Sequence, residues 1–199
     1  MITDEIAASV RAVQQGQLII YPTDTLYALG ADVFNANAVK KVFEVKQRPY
    51  NQPLPVAVSS VEQMKTVAHV TPEVKRVARC LLPGPLTLIL EVCSPDLAMV
   101  TGEEKTIAVR IPSNPLSLSL LNQAGPLTVT SANIHGKATP STIASIHNQL
   151  GSHHIAQSIN VGCLQGKPST IVDLTQSSPR ILRKGVITKE QIQDAIVDE

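Results

Sequence analysis

Tryptophan is absent from this sequence, and the three aromatic types together make up only 3% of it. A surface that stacks successive bases needs aromatic faces, so the composition does not build a general single-stranded nucleic-acid platform. Neither sign of charge is in excess: 17 Lys and Arg against 16 Asp and Glu leave a formal net charge of +1. Sequence-independent grip on a phosphate backbone draws on a basic field, so any contact with RNA has to be local. Cysteine is sparse and odd in number, Cys80, Cys93 and Cys163, with no CxxC spacing. That argues against a disulfide framework and a zinc site, and leaves the three as expected core thiols. No apolar run approaches the roughly eighteen residues of a membrane span. The start, Met1-Ile2-Thr3-Asp4-Glu5, lacks the cationic segment and apolar block of a signal peptide. A cytoplasmic protein with no membrane contact is expected.

What is present is aliphatic. Hydrophobic residues make up 43% of the 199 positions, so the core must be Val, Ile, Leu and Ala, which suits α/β layers. The length allows one well-cored domain over residues 1–199 without staples. Periodicity and capping signals predict a helix from Thr3 to Gly16, a buried strand Leu18 to Tyr21, and a helix Ala38 to Val45 that leaves Lys46 and Arg48 at its end. Further strands are predicted at Leu54 to Val58, Leu86 to Val92, Thr106 to Ile111, Leu127 to Thr130, Ile155 to Val161, Thr170 to Leu174 and Arg180 to Leu182. Helices are predicted after Ser60, after Thr71-Pro72, from Asn114-Pro115 to Leu121, from Ser141 to Leu150 and after Thr188, where Thr188 and Gln191 form a capping box. Several strands lie too close together for helical crossovers, which favours a single twisted mixed sheet with packed helices.

No GxxxxGK[ST] loop and no GxGxxG is present, and the 5 histidines form no HExxH. The chemistry-bearing residues sit at strand ends instead. Thr25 follows the first strand, Ser131 and Asn133 follow another, Ser169 opens one and Arg183 ends the next. Arg110 stands inside the apolar strand Thr106-Ile107-Ala108-Val109-Arg110-Ile111. A buried arginine is costly unless paired, so Arg110 requires an anion, either a structural carboxylate or a ligand's carboxylate or phosphate. Cations, hydroxyls and an amide together suit a small anionic ligand, perhaps an amino acid beside a polyphosphate, where positioning and charge neutralisation do most of the chemistry.

At these same residues the chain resembles the YrdC family of threonylcarbamoyl-adenylate synthases. Tyr21-Pro22-Thr23-Asp24-Thr25-Leu26-Tyr27-Ala28-Leu29-Gly30 is similar to YPT[DE]TxYGLG, Lys46-Gln47-Arg48-Pro49 to KxR, and Pro83-Gly84-Pro85-Leu86-Thr87 to PGPxT. Ala108-Val109-Arg110-Ile111-Pro112, Ser131-Ala132-Asn133, Ser169-Thr170-Ile171-Val172-Asp173 and Arg183-Lys184-Gly185 continue the match in order. The resemblance implies a concave α/β domain whose central cleft takes L-threonine, bicarbonate or CO2, and ATP with Mg2+. The product would be threonylcarbamoyl-AMP, destined for tRNA modification through a downstream transferase. Carried over position by position, Thr25, Arg110 and Ser169 would hold threonine. Lys46, Arg48, Gln52, Thr106, Ser131, Asn133, Thr139 and Arg183 would line the nucleotide side, with Lys46 and Arg48 catalytic. No dedicated metal site is implied, and Asp24 is expected to stabilise its turn.

Two positions depart from the pattern: Ala28 stands where the family commonly has Gly, and Ala57 where a threonine-contacting His can occur. A C-terminal domain like that of longer members is not expected, so a lid is expected from Cys163 to Pro168. Two other readings are a YciO-like paralogue that keeps the nucleotide pocket, and an RNA-binding module that would show salt-dependent tRNA binding without ATP.

Overall fold

The computed structural model describes residues 2–176 and 178–197. In chain order its elements are α1 (Ile2–Gln14), β1 (Leu18–Pro22), β2 (Tyr27–Gly30), α2 (Ala36–Lys46), β3 (Val56–Ala57), α3 (Val61–Met64), α4 (Pro72–Leu81) and β4 (Leu86–Glu91). They continue with α5 (Ala98–Thr101), β5 (Thr106–Arg110), α6 (Pro115–Ala124), β6 (Leu127–Thr128), β7 (Thr130–Ser131) and α7 (Ile143–Leu150). The last four are β8 (Ile155–Ser158), β9 (Thr170–Asp173), β10 (Arg180–Arg183) and α8 (Lys189–Val197).

The mixed α/β character follows the sequence, but the strands form two sheets rather than one. A four-stranded sheet runs β7-β2-β1-β8 and a six-stranded sheet β10-β9-β4-β5-β3-β6. The strand β2 was not expected. It is a short apolar run that pairs antiparallel with β1 across the polar turn, from Ile19↔Gly30 to Pro22↔Tyr27. Gly30 lets that pairing close: a Cβ there would lie 2.8 Å from the Tyr21 ring. The expected strand Leu127 to Thr130 divides at Val129, so that β6 joins the larger sheet and β7 the smaller. The segment thereby links both sheets. The short helices spanning Pro95–Thr101 are not among the expected elements, because helices of three and four residues carry too little periodicity to read.

Helix ends follow the capping logic. Thr188 and Gln191 exchange reciprocal bonds at the start of α8, Asn35 accepts from Ala38 N at the start of α2, and Thr71 accepts from Val74 N before Pro72. Tyr21, Tyr27, Phe43 and Met64 are fully buried among aliphatic side chains. The cysteines are not core thiols: Cys80 and Cys163 are exposed and Cys93 is half-buried. Among the described residues no helix is long and apolar enough to cross a membrane.

Candidate active site

The turn between β1 and β2 is built by Thr23. Its hydroxyl donates to Leu26 O at 2.7 Å and accepts from the amides of Thr25 and Leu26, both at 3.2 Å. That leaves Asp24 a different task from the one expected. Its Oδ1 accepts from Arg110 Nη2 at 2.7 Å, and Thr25 Oγ1 accepts from Arg110 Nη1 at 3.2 Å, so Asp24 fastens the turn to β5. The anionic partner that Arg110 requires is therefore, in this structure, a carboxylate of the chain. Burial pulls the Arg110 pKa down, and Asp24 opposes the shift. Arg110 Nε and Asp24 Oδ2 are both buried without a hydrogen-bond partner.

Strand alternation puts Ala108 and Arg110 of β5 on one face, with Thr87 and Ile89 of β4, Ser169 and Ile171 at β9, and Arg183 of β10 alongside. These strands are neighbours in the order β10-β9-β4-β5. The polar members form a row across the sheet. Arg183 donates from Nε to Ser169 O and from Nη2 to Ser169 Oγ, both at 3.0 Å, and Ser169 Oγ lies 2.9 Å from Thr87 Oγ1. Burial lowers the Arg183 pKa, and the positive charge of Arg110 adds to the shift.

The KxR segment closes the other side. α2 ends at Lys46, Gln47 takes the left-handed conformation at φ 51°, and Arg48 N bonds back to Phe43 O at 2.9 Å. Arg48 then donates to the carbonyls of Gln52 (3.1 Å) and Pro53 (2.9 Å), which holds its guanidinium at the rim. Lys46 is only 2% exposed. Its ammonium donates to the carbonyls of Ser131 and Asn133 and, at 3.4 Å, to Asn133 Oδ1. Burial, with a smaller push from Arg48, brings its pKa down to about 7. The Ser131 hydroxyl donates to Asn133 Oδ1 at 2.5 Å, and Asn133 Nδ2 donates to the carbonyls of Ile134 and Lys137.

These groups surround a cavity of about 570 Å³ lined from both sheets. Of the residues singled out in the sequence, Thr25, Arg48, Arg110, Ser131, Thr139, Ser169 and Arg183 line it. Lys46, Gln52, Thr106 and Asn133 do not. Lys46 and Asn133 stand behind the Ser131 rim, Gln52 offers its backbone carbonyl to Arg48, and Thr106 lies at the far end of β5 from Arg110. Ala28 lines the cavity, whereas Ala57 packs in the apolar cluster with Tyr21 and Leu127. The loop expected as a lid lies over the turn. A Cβ on Gly166 would come within 2.2 Å of Thr25 O, Leu164 N bonds to Ser141 O, and Tyr27 Oη donates to Gly162 O while accepting from Val161 N. Thr87 and Asp24 escaped the list of candidate residues. For Thr87 a signal existed, since it is a polar residue inside an apolar strand, as Arg110 is.

Among the described residues the lining carries hydroxyls, guanidinium groups and apolar side chains, with no carboxylate. Among the described residues no group of three or more His, Cys, Asp or Glu is placed to hold a metal ion. Such a site can bind and orient polyanions and a carboxylate.

Comparison with known proteins gives a consistent picture. The profile of Sua5, YciO and YrdC proteins, described as "Telomere recombination", matches residues 11–185. The threonylcarbamoyl-AMP synthase of Pyrococcus abyssi is 35% identical over 92% of the chain, which spans 55% of that relative. The Bacillus subtilis threonylcarbamoyl-AMP synthase is 36% identical over 96% of the chain, which spans 56% of it. The chain thus spans about half the length of these two relatives, but 88% of a putative threonylcarbamoyl-AMP synthase from Mycobacterium tuberculosis, at 36% identity. Among solved structures, P. abyssi Sua5 complexed with L-threonine superposes with a TM-score of 0.89 at 35% identity, covering 96% of this chain and 57% of that one. E. coli YciO superposes at 0.85 with 28% identity, covering 96% and 94%.

Proposed function

This chain belongs to the Sua5/YciO/YrdC family, and from that premise we propose that it is a threonylcarbamoyl-AMP synthase acting in the cytoplasm on L-threonine, bicarbonate or CO2, and MgATP. The observation that carries the reading is the cavity's composition. A buried arginine bonded to the Thr25 hydroxyl shares one cavity with the Ser169 hydroxyl and with Arg48, Arg183 and Ser131. The first group suits a carboxylate and the second a polyphosphate.

In the proposed reaction the threonine amine is carboxylated to a carbamate, with loss of a proton when CO2 is the donor and of a water molecule when bicarbonate is. A carbamate oxygen then bonds to the α-phosphorus of ATP, the bond from that phosphorus to the bridging oxygen breaks, and pyrophosphate leaves. Anion attacks anion, so the catalytic task is to cancel repulsion and to hold the two reactants in line. Arg48 and Arg183 neutralise phosphate oxygens. Lys46 holds the Ser131-Asn133 rim by its carbonyls and adds a positive charge behind it. Arg110 and Ser169 fix the amino-acid carboxylate. Magnesium enters as part of the nucleotide substrate and supplies further charge neutralisation.

The test is pyrophosphate release from MgATP with bicarbonate, with and without L-threonine and with L-serine in its place. Release that needs both L-threonine and bicarbonate is the expected outcome. Release without an amino acid would point to another acceptor, and none under any combination would favour a YciO-like paralogue of different activity.

A further inference from the structure

The hydroxyl pair Thr87 and Ser169 has a constrained proton inventory. Arg183 Nη2 is only a donor, so Ser169 Oγ accepts at that contact, 3.0 Å away. Among the described residues the remaining hydrogen-bond contact of Ser169 Oγ is Thr87 Oγ1 at 2.9 Å, and the Thr87 side chain makes no other hydrogen bond. Two hydroxyl protons serve one bond between them. The second is left over, and both residues line the cavity that Arg110 enters. Thr87 is 4% exposed and stands on β4, the strand between β9, next to Ser169, and β5, which carries Arg110.

We propose that Thr87 is a positioning residue for the amino-acid subsite. By donating to Ser169 Oγ it fills the second lone pair of that oxygen, Arg183 having filled the first, and so turns the Ser169 proton toward a carboxylate held by Arg110. A serine without that partner is fixed at one lone pair only, by Arg183, so its proton keeps more than one orientation and pays orientation entropy on every binding event. The hydroxyl of Thr87 thus acts through Ser169, and its effect falls on the amino acid rather than on the nucleotide. The inference rests on the synthase reading for the identity of the amino acid.

The experiment compares Thr87→Val, which keeps the side-chain shape and removes the hydroxyl, with Thr87→Ser, Ser169→Ala and the double variant Thr87→Val/Ser169→Ala. Thermal denaturation with and without L-threonine reads binding, and pyrophosphate release reads KM for L-threonine and MgATP separately. Expected for Thr87→Val is a rise in the L-threonine KM of about tenfold, the order of one well-aligned hydrogen bond to a charged ligand, with the MgATP KM within about twofold. Thr87→Ser restores the wild-type value, and the double variant is no worse than Ser169→Ala alone. Additive losses in the double variant, equal rises in both KM values, or no rescue by serine overturn the proposal. Wild-type protein that L-threonine stabilises but that releases no pyrophosphate sinks the synthase reading alone; the KM arm then yields to the stabilisation arm, which must show the same pattern. No stabilisation of wild type by L-threonine overturns both.

Discussion

Replacing Asp24 with Asn tests whether the turn after β1 and the six-stranded sheet are held together by charge. The Asp24 and Arg110 side chains are 11% and 7% exposed, and their contact is 2.7 Å. Breaking a buried ion pair by removing one charge leaves the other uncompensated and costs about 3–5 kcal/mol. Asparagine keeps an oxygen that still accepts from Nη2, so the expected loss lies at the low end, about 3 kcal/mol. For a chain of this size each kcal/mol moves Tm by about 2–4 °C, which gives a fall of roughly 6–12 °C. Urea titration and calorimetry read the loss. Arg110→Met alone leaves the Asp24 carboxylate buried and unpaired, whereas Asp24→Asn/Arg110→Met removes both charges and recovers much of the stability, a positive coupling in the cycle. A ligand arm separates structure from recognition. The carboxylate of L-threonine supplies the anion that Asp24→Asn lacks, so L-threonine raises the Tm of that variant by more than it raises the wild type's. A loss under about 1 kcal/mol, or a double variant as unstable as the sum of the singles, would refute the argument that Arg110 depends on Asp24.

Three further outcomes are expected. Lys46, with its pKa near 7 against 10.5 for an unperturbed lysine, loses its charge as pH rises through neutrality, so kcat/KM for MgATP falls above about pH 7. Across pH 7 to 10.5 the unfolded chain binds more protons than the folded one at this site, so its contribution to stability changes in the opposite direction and improves with pH. In Lys46→Arg the charge persists and the limb near neutrality disappears from the pH–rate profile; its persistence assigns the titration to another group. Gly166→Ala places a methyl within 2.2 Å of Thr25 O, so the loop must lift and the L-threonine KM rises by about tenfold or more with unchanged circular dichroism, whereas an unaltered KM shows that the loop does not shape that subsite. Tyr27→Phe removes one donated and one accepted bond to Gly162 and Val161, costing about 1–3 kcal/mol locally, and hydrogen exchange at the Val161 amide accelerates; unchanged protection there shows that the loop is anchored elsewhere.

The sequence revealed the site better than it revealed the sheets. Arg110 was legible because a guanidinium inside Ile107-Ala108-Val109 violates the strand's apolar pattern, and Ser131, Ser169 and Arg183 because they stand at strand ends. The same logic applied to Leu86-Thr87-Leu88 would have found Thr87, but a hydroxyl in a strand is a weaker violation than a charge. The division into two sheets was not legible. It depends on Val129, where the run Leu127 to Thr130 passes from one sheet to the other, and on the four-residue strand Tyr27–Gly30, whose partner is fixed by a turn rather than by its own periodicity. Nor was the burial of Lys46, since its position at a helix end fits a solvated cation equally well and only the carbonyls of Ser131 and Asn133, far along the chain, draw it inward.

The cations share one property that bears on how the cleft selects ligands. Arg110 is held by Asp24 and Thr25, Arg183 by Ser169, Arg48 by the Gln52 and Pro53 carbonyls, and Lys46 by those of Ser131 and Asn133. Each guanidinium or ammonium is oriented by oxygens of the chain, and among the described residues Arg110 is the one of the four paired with a carboxylate. On the proposed reading, phosphate oxygens arriving at Arg48 and Arg183 meet preorganised donors that, among the described residues, have no ion pair to break. A carboxylate arriving at Arg110 must instead share it with Asp24, which weakens binding of any carboxylate too poorly placed to reach the hydroxyls that line the same cavity. Under the proposed assignment, charge neutralisation at the nucleotide side is built in, while the amino-acid side discriminates through competition. It follows that neutralising Asp24 relaxes selectivity at the carboxylate, so that the preference for L-threonine over simple carboxylates that lack its amine and hydroxyl narrows in Asp24→Asn even as affinity rises; a preserved ratio of affinities would show that selectivity resides in contacts other than Arg110.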